Sequence, residues 1–179
     1  MAIDAIRPHL LTFVFLAALC MVTGCGAPDL RDRTEEEPPV PSPEVQVADL
    51  RTRTQLLSGW HNVEQNAWRW TARNFAVRLR PPIGAAVKGA SLTLHFTLPD
   101  VVISRLDSVT LSASLQSLRL APQTYRTAGR ALYVRDVSSS LLSGSTVRVD
   151  FQLDKVTVPG AGDTRELGVV VDRVGLESK

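Results

Sequence analysis

Ser91-Leu92-Thr93-Leu94-His95-Phe96-Thr97-Leu98 alternates polar and apolar residues without a break. Successive side chains of a β-strand point to opposite faces. The pattern therefore gives Leu92, Leu94, Phe96 and Leu98 to a dry face and Ser91, Thr93, His95 and Thr97 to a wet one. A helix would scatter the same residues around its circumference. Outward from this segment the same period returns three times. In residues 74–80, Phe75, Val77 and Leu79 oppose Asn74, Arg78 and Arg80. In 109–115, Val109, Leu111, Ala113 and Leu115 oppose Thr110, Ser112 and Ser114. In 146–153, Val147, Val149, Phe151 and Leu153 oppose Thr146, Arg148, Asp150 and Gln152. Each reads as a half-buried antiparallel strand. Residues 130–137 and 167–176 are strand-like without clean alternation, and the valine run of the second suits an interior strand.

Turn chemistry separates these segments: Pro81-Pro82-Ile83-Gly84, Pro99-Asp100, Thr127-Ala128-Gly129, Ser143-Gly144-Ser145 and Pro159-Gly160-Ala161-Gly162. Leu50–Leu57 fits either a first strand or one helical turn, and no long amphipathic helix follows residue 50. Six to eight short strands with regular turns imply an all-β fold, a two-sheet antiparallel β-sandwich over residues 50–179.

The 179-residue chain is 44% hydrophobic and 21% charged, which excludes a wholly disordered or collagen-like chain. A net charge of +2 is no footprint of a nucleic-acid binder. Both cysteines, Cys20 and Cys25, precede the strands. The β region therefore has no cysteine for a disulfide, a zinc site or a nucleophile.

Arg7 and His9 precede the apolar run Leu10–Val22. As a helix its thirteen residues reach about 20 Å, short of a bilayer core and right for an export signal. Val22-Thr23-Gly24-Cys25 resembles the lipobox of bacterial lipoproteins. That resemblance implies removal of residues 1–24 as a signal peptide and acylation of Cys25, with the protein held on the periplasmic side of a membrane. Gly26 stands after the cysteine, where Asp would retain such a protein at the inner membrane, so the resemblance implies the outer membrane. Two or three acyl chains anchor a protein stably.

Residues 25–49 carry Cys25 and an acidic linker with Pro28, Pro38, Pro39, Pro41 and Pro43. Clustered prolines and charges do not bury a core, so this segment reads as a disordered tether. Residues 49–179 hold 17 Lys and Arg against 11 Asp and Glu, so a mildly basic domain follows an acidic tether.

Two motifs stand out. Gly59-Trp60-His61-Asn62-Val63-Glu64-Gln65-Asn66-Ala67-Trp68-Arg69-Trp70-Thr71 is followed by Arg73 and holds all three tryptophans, and Asp163-Thr164-Arg165-Glu166-Leu167-Gly168-Val169-Val170-Val171 opens the last strand. Together they resemble a bacterial β-sandwich domain found in lipoproteins and attached to, or encoded near, glycosyltransferases and polysaccharide-assembly enzymes. The resemblance spans residues 56–177. It implies a jelly-roll outline similar to galactose-binding and other carbohydrate-binding modules; the tryptophan–arginine cluster itself makes envelope glycan or its assembly machinery the expected partner.

Two physical readings of the first motif stand side by side. In one, Trp60, Trp68 and Trp70 stack on sugar rings while His61, Glu64, Arg69 and Arg73 bond hydroxyls. In the other, the tryptophans plug one end of the sandwich, with their N–H groups and Arg69 satisfied by loop carbonyls. Asp163 with Glu64 or Glu166 offers the only carboxylate pair for glycoside hydrolysis, and an ordinary turn accounts for it equally. Asp163 is also the one position at which calcium would be sought. The histidines lie on separate segments, and no glycine-rich phosphate loop or nucleophile elbow occurs. The expectation is a non-catalytic binding or accessory module without metal or cofactor. The alternative is a protein-interaction lipoprotein with the tryptophans as core.

Overall fold

The computed structural model describes residues 40–160 and 162–179. The export segment, the lipobox with Cys25 and the tether up to residue 39 lie outside the described residues.

Ten strands occur among the described residues: β1 (Glu44–Gln46), β2 (Leu56–Glu64), β3 (Trp68–Leu79), β4 (Ala90–Leu98), β5 (Val109–Leu115), β6 (Leu118–Arg119), β7 (Gln123–Tyr125), β8 (Gly129–Val137), β9 (Val147–Leu153) and β10 (Val170–Ser178). Two short helices, α1 (Ala85–Lys88) and α2 (Asp100–Leu106), and two 3-10 turns, Leu50–Gln55 and Ser139–Leu141, complete them. No helix among the described residues is long and apolar enough to cross a membrane.

Every strand pair is antiparallel. One layer has the order β1-β10-β4-β8. The other has the order β2-β3-β9-β5, with β6 and β7 on the far side of β5. The chain alternates between the layers as it runs from β1 through β3, β4, β5, β8, β9 and β10, which is the jelly-roll path. The two layers are one continuous sheet. They join where β10 meets β3, Val170 opposite Trp70 and Val171 opposite Arg69. The register of β10 against β4 then shifts between Val171 and Arg173. Such a bulge bends the strand: at its start β10 lies between β3 and β4, and beyond the bulge β1 takes the place of β3 beside it. It also explains the unclean alternation of residues 167–176. Val169 and Val171 point inward, Asp172 takes up the extra step, and Val174 and Leu176 point inward again.

The core is the sum of the dry faces. Leu92, Leu94, Phe96 and Leu98 are all buried, as are Phe75, Val77, Leu79, Leu111, Leu115, Val149, Phe151 and Leu153. Each such side chain contributes roughly 1.5–3 kcal/mol through burial. Phe75 and Phe151, opposite each other on β3 and β9, stack at 4.9 Å. The edge strand β8 turns Tyr133 and Val137 inward and leaves Leu132 and Val134 on its outer face. Arg135 shares the inward face because it sits at the rim, where it donates to the carbonyls of Ala121 (2.6 Å) and Pro122 (3.0 Å).

The chain departs from the sequence reading at its start. Glu44–Gln46, placed above in the tether, is β1 and pairs with Arg173–Gly175. Val45 and Val47 are completely buried. Local composition hides this strand because a distant side chain secures it. Gln55 receives the Ser42 N–H at 2.8 Å and donates to the carbonyls of Ser42 (2.9 Å) and Arg78 (2.7 Å). Residues 50–57 combine both options: a 3-10 turn capped by Asp49, whose Oδ1 accepts from the Arg51 N–H at 2.9 Å, then the start of β2.

Candidate functional site

β2 and β3 form a hairpin whose tip holds Gln65 and Asn66, both at positive φ (50° and 53°), closed by the Ala67 N–H to the Glu64 carbonyl at 3.1 Å. Both central residues at positive φ is the turn whose twist matches a hairpin. The register of β2 slips three times along β3. At one slip Gly59 has φ +74°, and a Cβ there would lie 2.0 Å from the Asn74 carbonyl oxygen. Only glycine allows that approach. It seats Trp60 edge-on against Phe75, ring centroids 5.1 Å apart, with the indole N–H donating to the Ala76 carbonyl at 2.8 Å.

The second motif docks onto this hairpin. Gly168 donates to the Thr71 carbonyl at 2.7 Å, Thr71 donates back to the Val169 carbonyl at 2.9 Å, and the Val169 N–H reaches Thr71 Oγ1 at 3.2 Å. A Cβ on Gly168 would sit 2.5 Å from Leu153 Cδ1 and 2.6 Å from Thr71 Oγ1, so the segment lies as close as a backbone can. His61 Nε2 is 2.7 Å from the Glu166 carbonyl oxygen, which only accepts, so Nε2 carries the proton. Glu166 Oε1 accepts from the Arg73 N–H at 2.7 Å. Arg165 bridges two carboxylates, with Nη1 on Glu64 and Nη2 on Asp163, both at 2.8 Å. The two motifs are thus one structural unit, about a hundred residues apart in sequence.

Those bonds sort the expected site residues. Arg69 donates to the carbonyls of Val47 (2.7 Å) and His61 (2.8 Å), and burial lowers its pKa. Arg73 donates through its guanidinium to the Asp154 carbonyl at 2.6 Å. Arg69, Arg73, His61 and Trp60 have these polar groups committed to the protein's own backbone. Trp68, Trp70 and Glu64 are brought together. They line an open cleft of about 380 Å³ with Thr97, Pro99 and Val170. Trp68 and Trp70 are two residues apart on β3 and half-buried. Trp70 also borders a second cleft of about 480 Å³, walled by Val101, Arg105, Val158, Asp163 and Arg165 among others. α2 and residues 157–160 carry no motif, and the β10–β4 and β10–β3 pairings together with the Thr157–Leu167 bridge bring them beside Trp70.

Asp163 is held in one protonation state. Hydrogen bonds from the Arg165 side chain, then from its backbone N–H, hold Asp163 down at about 2, and the Arg165 pKa is raised in return. A general acid must carry a proton near neutral pH, and Asp163 does not. Both its oxygens accept hydrogen bonds from Arg165. Among the described residues no group of three or more His, Cys, Asp or Glu is placed to hold a metal ion. Another groove, of about 250 Å³, crosses the outer face of β3, β9 and β5, lined by Asn74, Gln152, Ser112, Arg148 and Asp150 among others.

No family model matches the chain. No curated protein matches it either. Among solved structures, a chain described as "CBM4 structure and function" is similar over 76% of this chain and 85% of its own length, with 14% identity and a TM-score of 0.39. At that level the likeness carries no argument about function.

Proposed function

We propose that this is a lipid-anchored protein of the cell envelope whose jelly-roll domain binds glycan, without catalysis, in the Trp68–Trp70 cleft. The observation that carries the reading is the pair of half-buried indoles on one stretch of β3, walling a cleft with the Glu64 carboxylate on its lining. Apolar ring surface beside a few fixed polar groups is what a sugar ring demands, because its C–H faces stack while its hydroxyls need directed partners. A volume of about 380 Å³ suits one or two rings, and the neighbouring cleft across Trp70 gives a longer chain somewhere to run. The paired charges of Arg165 and the ionised Asp163 border that second cleft. The non-catalytic part rests on the Arg165 bridge, since the nearest carboxylates, Glu64 and Asp163, are both tied to the same guanidinium.

Titration of tryptophan fluorescence with envelope oligosaccharides tests this. Quenching or a blue shift is expected in the parent protein, and its loss in Trp68→Ala and Trp70→Ala. A response that survives both substitutions refutes the site. The anchor is tested separately. Cys25→Ser should abolish acylation and release the protein from the outer membrane, and membrane association that persists would refute it.

A second reading has one observation of its own. Leu132 and Val134 are exposed side by side on the outer face of edge strand β8, a surface suited to a partner protein. Capture of an envelope protein by the parent and by Trp70→Ala alike, but not by Leu132→Asp, would favour it.

A further inference from the structure

The loop between β3 and β4 exposes apolar side chains on a rigid frame. Ile83 is 101% and Val87 83% accessible, the most exposed large hydrophobics among the described residues. The frame is fixed. Ala85 is buried and donates to the Pro82 carbonyl at 3.0 Å, Lys88 and Val87 both donate to the Gly84 carbonyl at 3.0 Å, and Gly89 donates to Ala85 at 2.9 Å. A Cβ on Gly89 would lie 2.6 Å from the Val137 carbonyl oxygen, so the loop is pressed against the end of β8. A well-packed loop that still presents two aliphatic side chains to water is spending stability on a surface. Arg80 and Lys88 flank it, both exposed and neither in an ion pair among the described residues; residues 80–89 contain no Asp or Glu.

The position of this loop says what covers it. The Arg80 N–H donates to the Ser42 carbonyl at 3.2 Å, so the chain enters the fold from the tether beside the loop. Strand β3 runs from the Trp68 end to the Leu79 end, which puts the tryptophan cleft at the opposite end of the sandwich. Only fourteen residues, fifteen chain steps, separate Cys25 from Val40, a reach of about 50 Å at full extension and nearer 20 Å as a coil.

We infer that the Pro81–Lys88 loop is a membrane-docking face: Ile83 and Val87 insert at the interface of an anionic phospholipid bilayer, Arg80 and Lys88 pair with its headgroups, and the tryptophan cleft is held facing away. The inference rests on the lipid-anchor reading, since a short tether leaving beside the loop turns this end toward the bilayer. Amphipathic insertion with basic flanks is a recognised mode of interfacial binding.

The test uses the full chain purified from the membranes of the producing cell, with Ile83→Trp as probe. The protein is reconstituted into vesicles of phosphatidylethanolamine and phosphatidylglycerol with brominated acyl chains. Fluorescence of the introduced tryptophan should be quenched, while the parent protein, with tryptophans toward the other end, should change little. Arg80→Ala and Lys88→Ala should each weaken docking about fivefold in these vesicles and little in phosphatidylcholine alone. Mass spectrometry of the same preparation reports acylation of Cys25. Acylated protein without quenching overturns the docking face alone. Quenching of unacylated protein supports the face and overturns the anchor, and neither signal overturns both. Shielding of position 83 that grows with protein concentration before lipid is added assigns the face to a second copy and overturns the inference.

Discussion

Gly168→Ala tests whether the 163–169 segment lies on β3 as closely as the geometry places it. The new methyl would meet Leu153 Cδ1 at 2.5 Å, Thr71 Oγ1 at 2.6 Å and the Ala72 carbonyl oxygen at 3.1 Å. Leu153 and Thr71 are buried, so neither side chain has free space to turn into. The segment must lift instead, stretching the bonds at 2.7, 2.9 and 3.2 Å that join Gly168 and Val169 to Thr71. Three hydrogen bonds at about 1 kcal/mol each come to about 3 kcal/mol, the same scale as overpacking a core. The φ of Gly168 is not in the left-handed region, so alanine itself fits the backbone and returns about 0.4–1 kcal/mol through the unfolded state. The net cost is about 2–3 kcal/mol, a drop of roughly 8 °C in Tm for a domain of this size. Gly160→Ala is the control. Nothing lies within 4 Å of its Cβ and its φ is ordinary, so it should melt with the parent or slightly above it. Thermal melts by circular dichroism read both variants. A Gly168→Ala melt within about 1 °C of the parent would refute the close approach. It would also remove the account of why the two motifs belong together.

Further outcomes follow from the same bonds. Trp60→Phe removes the donor to the Ala76 carbonyl and should cost about 1–2 kcal/mol in urea unfolding while leaving oligosaccharide titrations unchanged, the reverse of Trp70→Ala. The Asp163 pKa is held at about 2 in the fold against 3.8 otherwise, so its contribution to stability is complete above about pH 4 and lost as pH falls toward 2. That segment of the acid-unfolding curve should flatten in Asp163→Asn. A chain beginning at Asp49 rather than at Val40 loses β1 with Val45 and Val47. It should be destabilised by at least about 3 kcal/mol, and an unchanged melt would return residues 44–47 to the tether.

How much of this was legible beforehand depends on the range of the forces involved. The β-strands over 91–98, 109–115 and 146–153 were readable from alternation alone, because one wet face and one dry face impose the period on neighbouring residues. β1 was not. Its three residues carry no period long enough to read, and its hold comes from Gln55 and from β10, far along the chain. The site divides the same way. The sequence marks Trp68, Trp70 and Glu64 as candidates, and equally Trp60, His61, Arg69 and Arg73. Which side chains have polar groups left for a ligand is settled by carbonyls of Val47, Ala76, Asp154 and Glu166, whose positions are tertiary facts.

From the sequence by itself came the all-β class, the longer alternating strands, the cysteine-free β region and the two motifs, since each depends on residue type and short spacing. The single curled sheet in place of two separate ones, the strand inside the expected tether and the cleft beside Trp70 were decided only in three dimensions. The physical reason is common to them. A strand's face is written in its own residues, but its partner is chosen by the free energy of burying that face against distant ones, and the Asp172 bulge and the Gly168 approach act through contacts that no local pattern contains.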